Sequence, residues 1–252
     1  MCLKKGLTHL VAVDVGNTRT HFGVFKGQCL LRTFSVPTHE HHARIPDAIG
    51  NVPQRTTAGV ICSVVPQKNR VLRAHLKSRC GGGVGVLGKD LPIPIRNRTS
   101  KPSQVGADRL VNALAAYRRV GRALVVVDFG TAVTFDVVSG RGEYLGGAIA
   151  PGIELTLKAL AEKTALLPRI ELRHVNRAVG RTTFESMRSG CAFGLGFLCD
   201  GLLKRFDEEL LCKHRVIATG GYARFMQRYS RRIRDFDPNL TLKGIRIAAT
   251  GA

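Results

Sequence analysis

The hydrophobic positions of this chain follow two periodicities, and each predicts one kind of element. Short apolar runs flanked by glycine, proline or charged residues are typical of strands, and apolar residues that recur every three or four positions are typical of helices. The predicted strands are 9–14, 20–25, 29–35, 58–63, 84–87, 123–128, 133–138 and 144–149. The predicted helices are 67–77, 104–117, 153–166 and 184–211, and a final αβ unit ends with LTLKGIRIA.

One pattern occurs twice. LVAVDVGNTRTHFGVF begins at Leu10, and LVVVDFGTAVTFDVV begins at Leu124. In each, an apolar strand runs into an aspartate, a glycine follows two positions later, and a second strand returns antiparallel to the first. The repeat predicts an α/β fold of two similar domains, residues 1–118 and 119–252, that face each other across one cleft.

The repeated turns have the chemistry of a phosphate-binding site. Gly16 and Gly130 allow a sharp turn and a close approach of the backbone to a ligand. Asn17, Thr18 and Thr131 add short hydrogen-bond donors beside exposed backbone N–H groups. Such loops suit the oxygens of a polyphosphate.

Each turn follows a carboxylate at the end of an apolar strand. A carboxylate there costs free energy unless it holds a cation or a hydrogen-bond donor. We therefore interpret Asp14 and Asp128 as residues that hold a metal ion which neutralises the phosphates. The alternative is that each aspartate bonds only to its own turn. The duplication favours the metal.

A third polar cluster, VGADRL at 105–110, lies at the start of a predicted helix. The guanidinium group of Arg109 keeps the neighbouring carboxylate of Asp108 ionised, so that it can accept a hydroxyl proton. Arginine can also bind a substrate carboxylate through two hydrogen bonds. The alternative is an ordinary surface ion pair, and this motif by itself does not decide.

Two further segments are suited to contact with a ligand. GGAIAPG, at 146–152, is a glycine-rich passage from a strand to a helix. TTFESMRSG, at 182–190, predicts a helix start with Thr182 as the N-cap and Glu185 three residues later.

The composition limits the class of protein. With 252 residues, of which 44% are apolar, the chain can bury a sizeable core. We find neither a signal-peptide pattern nor an apolar stretch long enough to cross a membrane, so we expect a cytoplasmic protein. The seven cysteines form no C-x-x-C pair, which indicates reduced thiols.

The net charge of +21 raises nucleic acid as a partner. However, the basic residues are scattered, and the chain has no tryptophan and only four tyrosines, so an aromatic platform for bases is not indicated. We interpret the charge as a basic surface that attracts small anionic substrates, with nucleic acid as the alternative.

Two apparent motifs do not predict sites. GVGVLGKD, at 83–90, fits G-x-G-x-x-G and nearly fits a Walker A loop, but LPIPI follows it and cannot open a helix. Asp90 also stands where a serine or threonine would hold magnesium. THEHH, at 38–42, contains metal-binding residue types, but no third ligand can be assigned and flanking prolines indicate a surface loop.

Taken in order, DVGNTRTHFGVF, GADRL, DFGTAVTFD, GGAIAPG, TTFESMRSG and the closing TGG with LTLKGI resemble the type III pantothenate kinases. Members of that family are similar in fold to actin and hexokinase, with two ribonuclease-H-like domains around a nucleotide cleft. The resemblance implies ATP-dependent phosphorylation of pantothenate to 4′-phosphopantothenate, the first step of coenzyme A biosynthesis. It also implies a homodimer that completes part of the pantothenate pocket across its interface.

The resemblance implies residue roles as well. Asp14 would help to hold magnesium–ATP, Asp128 would bind a monovalent cation, potassium or ammonium, and Asp108 would take the proton from the primary hydroxyl of pantothenate. The residues implied to bind ATP are Asp14, Val15, Gly16, Asn17, Thr18, Arg19, Thr20, His21 and Thr131. Those implied to bind pantothenate are Gly106, Ala107, Asp108, Arg109 and Thr183.

Two positions depart from the family pattern. Thr99 stands where the family has a tyrosine that contacts the substrate, and Thr182 stands where an asparagine commonly precedes the substrate threonine. The net charge is also unusual for the family. Two alternatives therefore stay open: a transcription accessory or nucleic-acid-associated protein with weak or lost kinase activity, and a related phosphotransferase for another small alcohol.

Overall fold

The computed structural model describes residues 6–40, 49–50 and 52–251. The chain divides into two compact units. Unit 1 contains Met1–Arg119 and Asn239–Ala252, and unit 2 contains Val120–Pro238. The boundary near residue 119 lies close to the predicted one. The structure differs from the expected division in its last segment, which belongs to unit 1.

The described strands and α-helices have the following bounds. The strands are β1 His9–Val15, β2 Arg19–Lys26, β3 Cys29–Pro37, β4 Thr57–Ser63, β5 Val84–Val86, β6 Arg96–Asn97, β7 Leu124–Phe129, β8 Ala132–Val138, β9 Glu143–Pro151, β10 Arg215–Thr219 and β11 Asp235–Phe236. The α-helices are α1 Pro66–Lys77, α2 Ala107–Val120, α3 Ile153–Lys163, α4 Thr183–Ser189, α5 Leu195–Glu209, α6 Ala223–Met226 and α7 Leu240–Thr250.

The sheets of the two units repeat one topology. In unit 1 the order is β3-β2-β1-β4-β5, with β1, β2 and β3 antiparallel and β4 parallel to β1. In unit 2 the order is β11-β10-β7-β8-β9, with β7, β8 and β9 antiparallel and β10 parallel to β7. Counted within each unit, the first strand therefore lies between the second and the fourth in both sheets. The predicted duplication is confirmed.

Both faces of the unit 1 sheet are covered, which explains why β1 is apolar at almost every position. On one face, Val11 and Val13 pack in a cluster with Leu72 and Leu76 of α1. On the other face, the cluster contains Leu10, Ala12, Phe25, Val111, Leu242 and Ile245, which come from β1, β2, α2 and α7. The strand is thus buried on both sides.

Unit 2 has its own core beneath the second hairpin. Val125, Val127 and Phe129 of β7 are buried together with Leu195 and Leu203 of α5. The predicted helix 184–211 is present as α4 and α5, joined by a π-helical turn at Gly190–Gly194. One extra residue per turn keeps the helical path continuous there.

The last predicted element differs in type. LTLKGIRIA reads as a strand because its apolar residues alternate, yet Leu240–Thr250 is an α-helix. Its buried residues include Leu242, Ile245 and Ile247, so the apolar face is wide enough to satisfy a helix packed against a sheet.

Several other expectations concern single residues. Asp90 is structural, because its Oδ2 accepts the backbone N–H of Val86 at 3.0 Å and lies 3.0 Å from Arg73.

The six cysteines in the described ranges have free thiols. Two histidines of THEHH, at positions 41 and 42, lie outside the described residues. Over the described ranges, no helix is both long and apolar enough to span a membrane.

Candidate active site

The first repeated turn connects β1 to β2 in unit 1. Its backbone is closed by a hydrogen bond from the N–H of Gly16 to the carbonyl of Arg19 at 3.0 Å. The Oγ1 of Thr38 donates to the carbonyl of Gly16 at 2.8 Å. Asn17 and Thr18 at its tip are exposed, so their donors and the nearby backbone can meet a ligand.

The residues predicted to bind ATP on this turn do not all have side chains that a ligand could contact. Val15 and Thr20 are fully buried, so they shape the turn. The guanidinium group of Arg19 is bonded to Ser35, with Nε donating to Oγ at 2.8 Å. His21 is exposed, although partial desolvation of its ring and the charge of Arg19 lower its pKa.

The GADR segment lies beside this turn in the same unit. The N–H of Val64, just after β4, donates to the carbonyl of Val15 at 3.1 Å. A Cβ placed on Gly106 would lie 3.6 Å from the side chain of Val64. The first turn of α2, which begins at Ala107, is therefore held next to the end of β1 where Asp14 is found.

Asp108 lies in the first turn of α2 and is half-buried. Its Oδ1 accepts the backbone N–H of Arg109 at 2.9 Å. Burial raises the pKa of Asp108, and this outweighs the lowering by the N–H and the charge of Arg109. A carboxylate with a raised pKa is a stronger base, which is the property that proton abstraction requires.

Gly106 is needed for that position of the carboxylate. A Cβ at Gly106 would overlap Oδ1 of Asp108. Any larger residue would therefore force the carboxylate of Asp108 to move.

Cys62 was not predicted as part of this site. It is fully buried in β4, directly opposite Asp14 in the parallel register with β1. Burial raises the pKa of its thiol well above the ordinary value, and the charges of Asp14 and Asp108 raise it further. The thiol is therefore neutral and lies within the electrostatic reach of both carboxylates.

The second turn, between β7 and β8 in unit 2, repeats the closure of the first. The N–H of Gly130 donates to the carbonyl of Ala132 at 3.1 Å, and Thr131 is exposed. The carbonyl of Thr131 accepts the N–H of Gly152 at 3.1 Å. This bond joins the turn to the start of α3, which is where GGAIAPG was expected to approach a ligand.

Asp128 is enclosed by the backbone that follows β10. It pairs with Thr219 in the parallel register of β7 and β10. Gly220 has a φ of 88°, and a Cβ there would overlap Oδ1 of Asp128. The glycine is thus required twice, once for its left-handed backbone and once for the space that the carboxylate occupies.

Thr183 is exposed at the first position of α4. The predicted N-cap is confirmed, because Oγ1 of Thr182 accepts the N–H of Glu185 at 3.2 Å. Glu185 in turn accepts the N–H of Arg181 at 2.7 Å. At the position where the family tyrosine was expected, Thr99 donates its hydroxyl to Asn97 at 2.8 Å.

Unit 2 also contains a cavity of about 510 Å³ that the sequence did not reveal. It is lined by Glu154, Leu157, Lys158, Arg169, Ile170, Glu171, Leu172 and Tyr222. The N–H of Tyr222 donates to the carbonyl of Phe129 at 3.4 Å, so one wall of the cavity continues from the second turn.

The residues present fit hard cations. Asp14 and Asp128 supply carboxylate oxygens at strand ends, and Gly220 leaves the Asp128 carboxylate room that a side chain would fill. Among the described residues, no three histidine, cysteine, aspartate or glutamate side chains cluster as a metal site. Proteins often bind magnesium through one or two carboxylates together with substrate phosphates and water.

Comparison of the sequence with known proteins finds a match to one family. It matches the type III pantothenate kinases over residues 10–205. A type III pantothenate kinase of Anaeromyxobacter sp. (strain K) is 42% identical over 254 residues, with 94% of this chain and 97% of that relative covered.

Solved structures with lower identity share the fold. A Campylobacter jejuni protein described as a Baf family transcriptional activator has a TM-score of 0.63 at 20% identity, covering 96% of this chain and 98% of that one. A Chromobacterium violaceum protein described as an N-acetylglucosamine kinase has a TM-score of 0.52 at 13% identity, covering 97% of this chain and 100% of that one. The predicted actin- and hexokinase-like α/β fold is confirmed.

Proposed function

We propose, since this chain belongs to the type III pantothenate kinase family, that it transfers the γ-phosphoryl group of ATP to the primary hydroxyl of pantothenate. The observation that carries the proposal is the half-buried carboxylate of Asp108, held beside the first phosphate turn. The reaction yields 4′-phosphopantothenate and begins coenzyme A biosynthesis. The names of the relatives favour this activity over a regulatory role.

Asp108 is the proposed base. Phosphoryl transfer depends mainly on positioning and on neutralisation of charge, so the protein has little covalent chemistry to perform. The carboxylate of Asp108 accepts the hydroxyl proton of pantothenate as the oxygen attacks the γ-phosphorus. Arg109 binds the carboxylate of pantothenate, and Gly106, Ala107 and Thr183 complete the contacts with this substrate.

The two turns are the proposed phosphate-binding elements. Residues 14–21 and Thr131 offer backbone N–H groups and hydroxyls to the phosphates. Asp14 holds magnesium together with the nucleotide, and Asp128 holds the monovalent cation, potassium or ammonium. When bound, these cations offset the negative charge of the phosphates.

The cavity of unit 2 is the proposed site for the base and ribose of ATP. One wall continues from the second turn, because the N–H of Tyr222 bonds to Phe129. A second lining residue, Glu154, follows Gly152 by two positions, and the N–H of Gly152 bonds to Thr131. Its volume of about 510 Å³ lies in the range of small-molecule sites. Leu157, Ile170 and Leu172 give it apolar surface for a planar base.

A homodimer in the cytoplasm is the proposed state of the protein. Its support is the number of large apolar side chains that unit 2 exposes. These are Ile149, Leu155, Leu166, Val179, Phe184, Phe197 and Leu198, along with two leucines at 210 and 211. Where such side chains form a contiguous patch, they mark an interaction site.

One coupled assay tests the function. Purified protein is given ATP and pantothenate in potassium or in sodium buffer, and ADP and phosphopantothenate are measured. We expect turnover in potassium, a sharply lower rate in sodium, and a loss of about 10²-fold or more for Asp108→Asn. The melting temperature of that variant controls for folding. Full activity of Asp108→Asn would remove Asp108 from the role of base. Equal rates in potassium and sodium would contradict the assignment of a monovalent-cation site to Asp128.

A further inference from the structure

One hydrogen bond joins two elements that line the unit 2 cavity. The hydroxyl of Tyr222 donates to Oε1 of Glu154 at 2.6 Å. Glu154 lies in the first turn of α3, and Tyr222 immediately precedes α6. Burial and the negative charge of Glu154 raise the pKa of Tyr222 to about 12, so the hydroxyl keeps its proton and remains the donor.

This bond leaves the second carboxylate oxygen of Glu154 available to a ligand. Over the part of the chain that the structure describes, the contact with Tyr222 is the only polar side-chain contact of Glu154. A carboxylate accepts hydrogen bonds and does not donate them. Glu154 is therefore an acceptor in the cavity, and the bond to Tyr222 fixes its direction.

The same residues are tied to the second phosphate turn. The N–H of Tyr222 bonds to Phe129, and the N–H of Gly152, two residues before Glu154, bonds to Thr131. A nucleotide with its phosphates at this turn would extend its base into the cavity, whose apolar residues would contact the faces of the ring. The polar edge of the base would then meet the carboxylate.

We propose that Glu154, oriented by Tyr222, selects nucleotides whose base carries an exocyclic amino group, as adenine does. The proposal rests on the proposed function, because it assumes that a nucleoside triphosphate occupies this cavity. An amino group at position 6 of a purine donates to the carboxylate. A carbonyl oxygen at that position meets a second acceptor and is disfavoured.

ATP and ITP provide the test, since neither base has an amino group at position 2. They differ at position 6, where an amino group is replaced by a carbonyl oxygen, and at N1, which is an acceptor in adenine and an N–H donor in hypoxanthine. For the wild-type protein we expect kcat/KM with ATP to exceed that with ITP by about tenfold or more, as for hydrogen bonds to charged groups. We expect Glu154→Gln to narrow this ratio to about threefold or less, because the amide can donate to the carbonyl of hypoxanthine. Tyr222→Phe should lower the ratio of kcat/KM for ATP to that for ITP to an intermediate value, because Glu154 keeps its charge but loses the bond that orients it.

Glu171→Gln is the matched control. Glu171 lines the same cavity and undergoes the same change of charge, but its carboxylate lies 3.7 Å from Arg173. We expect this variant to keep the wild-type ratio. An unchanged ratio in Glu154→Gln, or an equal change in Glu171→Gln, would overturn the proposal.

A binding measurement separates this inference from the kinase activity. Affinities for ADP and IDP are measured by calorimetry without pantothenate, on the wild type and on the same variants. A preference for ADP that depends on Glu154 supports the inference even if pantothenate is not phosphorylated. Equal affinities for ADP and IDP in the wild type would overturn it even if the kinase is active.

Discussion

The burial of Asp108 predicts how activity depends on pH. Its pKa is raised above the ordinary value, and a base must be ionised to accept a proton. We therefore expect kcat/KM to fall as the pH decreases through the pKa of Asp108, on a limb that lies above the usual aspartate range of about 4. The pH profile of kcat/KM, with pantothenate as the varied substrate, measures this limb.

The stability of the fold responds to the same residue with the opposite sign. Because the folded state raises the pKa, the contribution of Asp108 to stability is full at low pH and is lost as the pH rises through the folded pKa. Asp108→Asn should therefore melt no lower than the wild type at neutral pH. In the pH profile of kcat/KM, an acidic limb at or below the ordinary aspartate pKa would contradict the raised pKa of Asp108.

Residues of the site differed in how far the sequence could reveal them. Asp108 and the cap made by Thr182 and Glu185 lie in short motifs, and their chemistry depends on neighbours in the chain. Cys62 and the pair of Glu154 with Tyr222 could not be found in this way. Their roles depend on contacts between segments far apart in sequence.

The junction between α5 and β10 depends on one carboxylate. Oδ1 of Asp207 accepts the backbone N–H of His214 at 3.0 Å and lies 2.9 Å from its ring Nδ1, while Oδ2 lies 2.9 Å from Arg232. Burial alone would raise the pKa of Asp207, but the bonds from His214 and Arg232 outweigh it and lower the pKa. The ionised form therefore stabilises the fold.

We expect Asp207→Asn to lower the free energy of unfolding by about 2 kcal/mol at neutral pH. A lowered pKa means that the contribution is full above the ordinary aspartate range and is lost as the pH falls through the folded pKa. The difference between variant and wild type, measured by denaturant unfolding, should thus shrink in acid. Glu208→Gln is the control, since its exposed pairs with Lys204 and Arg205 contribute little. A loss that is equal for both variants would rule out a special role of Asp207.

Among the elements, the hairpins and the long helices were predictable. Their apolar periods are strong and their turns contain glycine. The sequence did not predict that α7 is a helix, because the alternation of apolar residues in LTLKGIRIA fits a strand and a buried helix alike. The π-helical turn at Gly190–Gly194 has no period of its own, and it depends on packing beneath the sheet of unit 2.

At the scale of the whole molecule, the exposed apolar side chains predict self-association. Phe197 is 65% exposed on α5 of unit 2. We expect Phe197→Asp to shift a dimer toward monomer, because a desolvated carboxylate in an apolar interface is costly. Sedimentation velocity measures the change. Leu31→Asp is the control, since Leu31 is 53% exposed on β3 of unit 1. A wild-type monomer, or equal effects of both substitutions, would argue against this interface.

The net charge of +21 also acts on the molecule as a whole. Both proposed substrates are anions, and a positive field increases the rate at which anions meet a protein. The charge is thus compatible with the kinase without a nucleic-acid partner.

The place of α7 has a consequence for how the protein is made. Leu242 and Ile245 complete a core that contains Leu10 and Ala12, yet the ribosome produces them after all of unit 2. Domains usually mature in the order of their synthesis. Until α7 is made, α2 covers that face of the amino-terminal sheet only in part. Nascent chains stalled before residue 240 should therefore recruit chaperones through the earlier half.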